Sequence, residues 1–209
     1  MNVKCSLPAA VAGFGLLASG AQASVTIEQT RVIYNAGEKA VGLKVINRDK
    51  EKPYLAQAWL EDKDGNKITS PLMVLPPIQR VDPDSTTQVR IQALPAAAQL
   101  PQDRESLFWF NIREIPPRSK KENVLQVALQ TKVKLFYRPA SIVKLPEQPW
   151  QEKLVVRKAG GELRLENPTP YYVTVVNLAA KKGAGTLPGF EPLMLAPFEN
   201  RAAPWNVSA

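Results

Sequence analysis

Apolar and polar positions alternate with a period of two through most of this chain, in short runs separated by turn residues. Side chains of a strand point to opposite faces in turn, so each run predicts a half-buried β-strand. Val25 and Ile27 open the series and lead through Arg31 to Val32, Ile33 and Tyr34, with a turn at Asn35, Ala36 and Gly37. Val41, Leu43 and Val45 share one face of the next strand, and residues 54–60 form another after Pro53. Asp62, Lys63, Asp64, Gly65 and Asn66 read as a hairpin turn. Residues 71–78 are apolar with a break at Pro76 and Pro77, Thr87, Val89 and Ile91 alternate, and residues 107–115 are rich in aromatics.

The longest run is NVLQVALQTKVKLFYRP, residues 123–139. It reads as one long strand with Leu125, Val127, Leu129, Thr131, Val133, Leu135 and Tyr137 on one face. The other face carries Lys132 and Lys134, then Phe136 and Arg138. A strand used only for its own core needs no such division. About seven strands in ~120 residues predict an antiparallel immunoglobulin-like sandwich.

After Tyr137 the texture changes. Leu145, Pro146, Glu147, Gln148 and Pro149 read as a linker, and residues 154–156, 163–165, 171–178 and 193–195 suggest a second β region. The fold class expected is all-β: two immunoglobulin-like sandwiches in tandem, residues 24–144 and 145–209. A sandwich of this kind takes roughly 100 residues, so the second is expected to be truncated at its C-terminus. Residues 201–209 show little pattern.

Lys4, the apolar run 9–18 and the small-x-small site Ala21, Gln22, Ala23 predict a cleaved signal peptide over residues 1–23. The run is too short to span a bilayer as an anchor, so an exported mature chain with no membrane insertion is expected. The one cysteine, Cys5, lies in that segment, and the chain has no histidine. Histidine-dependent triads and the usual zinc sites are thereby excluded, and no catalytic residue, metal or cofactor is expected. The net charge of +8 suits an acidic partner, but export makes nucleic acid a poor one. The densest basic cluster, Arg118 to Lys121, follows two prolines and reads as a solvated loop.

The stretches PYLAQAWLED, LPPIQRVDP, LPQDRESLFWFNIREIPPRS, NVLQVALQTKVKLFYRPA and ENPTPYYVTVVNL resemble the periplasmic pilus-assembly chaperones. The resemblance runs from about Ser24 to Leu195. It implies a chaperone that lends a strand to pilin subunits lacking their last one and delivers them to an outer-membrane usher. Main-chain hydrogen bonds supply affinity and alternating side chains fill the subunit's pockets. On this resemblance Leu125, Val127 and Leu129 are the donated residues; the pattern alone leaves packing in the chain's own core equally open.

The resemblance also implies that Arg31 and Lys134 anchor the subunit's C-terminal carboxylate, which suits charge-assisted hydrogen bonds. Lys132 shares the parity of Lys134 and is its rival. Glu105 and Arg138 correspond to a buried inter-domain ion cluster whose third, acidic member has no counterpart in this sequence. Leu55, Ile78 and Ile115 correspond to an apolar contact patch, although they read equally as core. The short loop 116–123 resembles the subclass that builds rod-like pili. Partners expected are pilin subunits and the usher, in the periplasm, with self-association when free. The rival readings are an exported immunoglobulin-like adhesion or structural domain without chaperone activity, and a carboxylate-based hydrolase, for which no paired motif stands.

Overall fold

The computed structural model describes residues 23–119, 123–143, 149–159, 162–181 and 183–203. The expected signal peptide, save Ala23, lies outside them, as do residues 120–122 of the basic loop, residues 144–148 of the linker and residues 204–209. Strands dominate, with 3-10 turns at Pro95–Gln99, Ala140–Ile142 and Trp150–Lys153.

The first sandwich holds β1 (Val25–Ile27), β2 (Arg31–Asn35), β3 (Val41–Asn47), β4 (Tyr54–Glu61), β5 (Lys67–Ile68), β6 (Leu72–Leu75), β7 (Ile78–Val81), β8 (Thr86–Ala93), β9 (Ser106–Ile115) and β10 (Gln130–Arg138). One sheet runs β1-β3-β8-β6, and the other runs β2-β10-β9-β4-β5 with β7 also on β4. All pairs are antiparallel except β2 with β10.

Ten strands stand where seven were expected, because two expected strands each divide between the sheets. Residues 25–35 cross from one sheet to the other between β1 and β2. Residues 72–81 cross at Pro76 and Pro77, which have no N–H with which to continue a ladder. β5 is two residues long and too short to show a period. It closes the expected hairpin, where Asp62 Oδ1 accepts from the Asp64 and Asn66 N–H groups and Gly65 takes φ +88°.

The core lies between the sheets and is made by the alternating faces. Leu43, Val45, Leu60, Leu72, Val89, Ile91, Phe110, Ile112 and Leu135 are all at most 2% exposed. Burying a side chain of this size stabilises by about 1.5–3 kcal/mol, so the alternation of β3, β4 and β8 specifies which face of each turns inward. At one end of this core Glu114, also buried, accepts from the Val25 and Leu129 N–H groups, tying β1 to the residue just before β10.

The second region forms β11 (Val155–Ala159), β12 (Glu162–Glu166), β13 (Val173–Val175), β14 (Leu193–Leu195) and β15 (Asn200–Ala202). They make a three-stranded sheet, β11-β12-β15, and a two-stranded one, β13-β14. β15 falls in a stretch that sequence reading left without pattern. All three of its residues are exposed, so no apolar alternation marks it, and pairing with β12 is what defines it. Among the described residues the buried cluster here is small: Leu165, Val175, Phe190, Leu193, Leu195 and Ala203.

This difference in core size predicts the order of unfolding. Limited proteolysis should cut within 145–209 first and leave a resistant fragment ending near Lys144. Leu195→Ala should cost about 2–5 kcal/mol and accelerate that cut, leaving the fragment's own resistance unchanged. Equal protease resistance of the two regions would reject this.

Candidate functional site

The expected long strand 123–139 divides at Gln130. From Gln130 to Tyr137 each residue pairs with β9, but residues 124–129 carry no regular ladder. The cause lies in the neighbours. β9 ends at Ile115, and Pro116 and Pro117 follow, which have no N–H to offer. What holds the stretch is local: Glu114 N–H donates to the Leu129 carbonyl, and Gln126 Nε2 donates to the Pro117 carbonyl at 2.7 Å.

The exposures separate the two readings of this face. Leu125 is 89% and Val127 59% exposed, whereas Leu129 is half-buried. Val133, Leu135 and Tyr137, which continue the same parity, are buried in the core. The apolar face therefore runs past the end of its own core, and its first two residues are not core residues.

The other edge of β10 is equally informative. β2 pairs with β10 in parallel, beginning at Arg31 opposite Lys134 and ending at Asn35 opposite Arg138. N-terminal to Lys134, β10 has β9 on one side and no ladder partner on the other among the described residues. The slot beside β10 is thus filled by β2 from Lys134 onward and open before it. A parallel strand entering that slot would stop pairing where β2 begins, beside Arg31 and Lys134.

Those two cations stand side by side on the outer face of the sheet. Like charges at matched positions of paired strands are destabilising. Neither forms an ion pair or a side-chain hydrogen bond among the described residues. The arrangement is suited to an anion. Lys132, on the same face, is engaged: its Nζ lies 2.6 Å from Glu61 Oε2 and 5.0 Å from the centre of the Trp109 ring. Burial acts to raise the Glu61 pKa, but hydrogen bonds from Lys132 and from Trp59 Nε1 outweigh it, and the net shift is downward.

Arg31, Lys132 and Lys134 open onto a cleft of about 420 Å³ between the domains, walled on the far side by Trp150, Tyr172 and Val176. The second domain explains the rest of the outer face of β10. Phe136 is buried against Tyr172, ring centres 5.3 Å apart. Arg138, 4% exposed, places Nε and Nη2 at 3.0 and 2.8 Å from Glu105 Oε1. The other Glu105 oxygen accepts the Tyr172 N–H at 2.8 Å, and Glu105 N–H donates to the Pro170 carbonyl. Among the described residues the second domain completes this pair with backbone and with the Tyr171 and Trp150 rings, which flank Arg138.

Leu55, Ile78 and Ile115 lie together on the outer face around β4. Leu55 pairs with Ile115, and Ile78 with Gln57. Leu55 is 39% and Ile78 47% exposed, so these are not ordinary core residues. Sequence reading missed Glu61, Glu114, Trp150 and Tyr172. Glu61 and Lys132 lie 71 residues apart, and no local pattern joins them. Among the described residues no group of three or more His, Cys, Asp or Glu stands where it could hold a metal ion.

The chain thus combines an all-β, two-domain architecture with an open strand slot, an overhanging apolar face and two adjacent cations without ion-pair partners among the described residues, the features a strand-addition binder would use. Residues 24–143 match the family described as pili and flagellar-assembly chaperone, PapD N-terminal domain, and residues 149–209 match pili assembly chaperone PapD, C-terminal domain. The chain belongs to the PapD family of pilus-assembly chaperones. Chaperone protein PapD of Escherichia coli is 51% identical over 180 residues, 86% of this chain and 75% of that protein. The probable fimbrial chaperone YfcS of Escherichia coli (strain K12) is 48% identical over 188 residues, 90% of this chain and 74% of the relative. Among solved structures, the periplasmic chaperone SfaE superposes with a TM-score of 0.70 at 34% identity, covering 88% of this chain and 87% of that one. The Salmonella enterica SafA pilin in complex with the SafB chaperone gives 0.70 at 30% identity, covering 88% and 85%.

The buried ion pair is the most exposed to disruption. Arg138→Ala leaves the Glu105 carboxylate buried without its cation and should destabilise by about 3–5 kcal/mol. Replacing both by apolar residues of similar volume should cost much less. Thermal denaturation of the two variants checks this.

Proposed function

We propose that this chain is a non-enzymatic periplasmic chaperone that caps pilin subunits by strand donation and hands them to an outer-membrane usher. The observation that carries this reading is the slot beside β10, open up to Lys134 and closed by β2 at Arg31. The subunit's last strand enters the slot parallel to β10. Its backbone pairs with the open edge, and Leu125, Val127 and Leu129 fill the groove left by the subunit's missing strand. From Leu125 to Lys134 the strand spans about 30 Å at ~3.3 Å per residue, enough for a full strand of a sandwich.

Arg31 and Lys134 hold the terminal carboxylate with charge-assisted bonds, and their mutual repulsion is relieved when it binds. The apolar patch of Leu55, Ile78 and Ile115 lies on the same sheet, away from the cleft, and is available to the usher while a subunit is held. In the free chain the exposed Leu125 and Val127 are an aggregation-prone edge that self-association would cover. SafB, with its SafA pilin, provides a solved chaperone–subunit complex of similar fold.

Arg31→Ala or Lys134→Ala should leave the melting temperature close to wild type and reduce subunit recovery from periplasm by more than tenfold. Wild-type recovery by both variants would reject the anchor. In a separate test, Val127→Glu should abolish capture, because an unpaired charge would enter an apolar groove. Ala128→Glu, on the opposite face, should retain most of it. Equal loss from the two substitutions would overturn the donor face.

A further inference from the structure

Strand capture needs a rule for register, and β10 leaves one slip unguarded. A slip of one residue turns every apolar side chain to the wrong face and is rejected by the pattern itself. A slip of two residues preserves that parity. Toward the C-terminal side it is blocked by β2, whose first residue, Arg31, already occupies the slot beside Lys134. Toward the N-terminal side no backbone among the described residues blocks it. A strand stopping two residues early would end beside Lys132, about 7 Å back along β10 at ~3.4 Å per residue. Lys132 has the same outward parity as Lys134 and lines the same cleft. Its free ammonium would offer a second landing site for a carboxylate.

Resting on the anchor reading above, we propose that Glu61 sets the register of the captured strand by holding Lys132 away from the client's terminal carboxylate. Glu61 stands on β4, the second strand over from β10, and reaches Lys132 across β9. Its carboxylate is itself fixed, accepting from Trp59 Nε1 at 2.8 Å, and its side chain is only 13% exposed. Lys132 is held over the Trp109 ring by the same contact. A held, neutralised Lys132 offers a carboxylate little, while Arg31 and Lys134 keep their charge unpaired. Charge thereby selects among registers that hydrophobic parity cannot tell apart.

The test reads register directly. The probe is a synthetic alternating apolar peptide with a free C-terminal carboxylate, made in two forms. One carries a cysteine where the intended register faces residue 126, and the other carries it two positions along. The chaperone is the full chain with Cys5→Ser and Gln126→Cys. The C-terminally amidated peptide serves as the anchor control. Wild type should form disulfide with the first peptide at least tenfold more than with the second. Glu61→Gln should raise the slipped product to within about threefold of the first while total peptide binding is kept. Glu61→Gln with Lys132→Gln should restore the wild-type ratio, which a merely structural loss at Glu61 would not do. A carboxylate-dependent wild type whose single register persists in Glu61→Gln overturns this inference alone, as does a double variant that stays mixed. Equal binding of the carboxylate and amide peptides by the wild-type chain overturns the anchor reading and this inference with it.

Discussion

An unpaired strand edge is the constraint on which this structure turns. Backbone N–H and C=O groups must find partners, and a sheet edge that lacks a neighbouring strand is a template for one from elsewhere. Here, among the described residues, β10 has β9 on one side from Gln130 to Tyr137 and β2 on the other from Lys134. The chain crosses from one sheet to the other just ahead of Arg31, and that crossing sets the length of the open edge. The two prolines after Ile115 end β9, and before Leu129 the stretch carries no ladder with it. Exposure of Leu125 and Val127 and the position of the adjacent cations follow from these two boundaries.

The second domain is the other half of the arrangement. It covers the outer face of β10 only where Phe136 and Arg138 lie, and leaves Lys132 and Lys134 at the mouth of the cleft. The Glu105–Arg138 pair has both charges almost fully buried, which is weak evidence for stability and better evidence for a fixed geometry. Each Glu105 oxygen has its own task, one on Arg138 and one on the Tyr172 N–H across the domain boundary. Membership of the PapD family accords with this division of labour: one sandwich carries the open edge and the cations, and the other shapes the cleft against them.

Much of this was legible in the sequence because strands write their burial as alternation. The inner faces of β3, β8 and β10 could be read residue by residue, and so could the parity shared by Leu125, Val127 and Leu129. Other features could not be read because they belong to pairs rather than to runs. Alternation says which way a side chain points but not where the core ends, so Leu125 and Leu135 look alike until one is found exposed and the other buried. β15 has no buried side to show, and only its ladder with β12 reveals it. Lys132 and Lys134 are indistinguishable along the strand; Glu61, two strands away, makes them different.

By itself the sequence determined the all-β class, the faces of several main strands and, through the absence of histidine, the exclusion of histidine-dependent triads. It also carried the charges that make an anion site conceivable. Tertiary structure decided which charges are free, which apolar residues lie outside the core, and where the slot beside β10 stops. The physical reason is that alternation is a local property of one strand, whereas burial, ion pairing and an open edge depend on which other strand lies alongside.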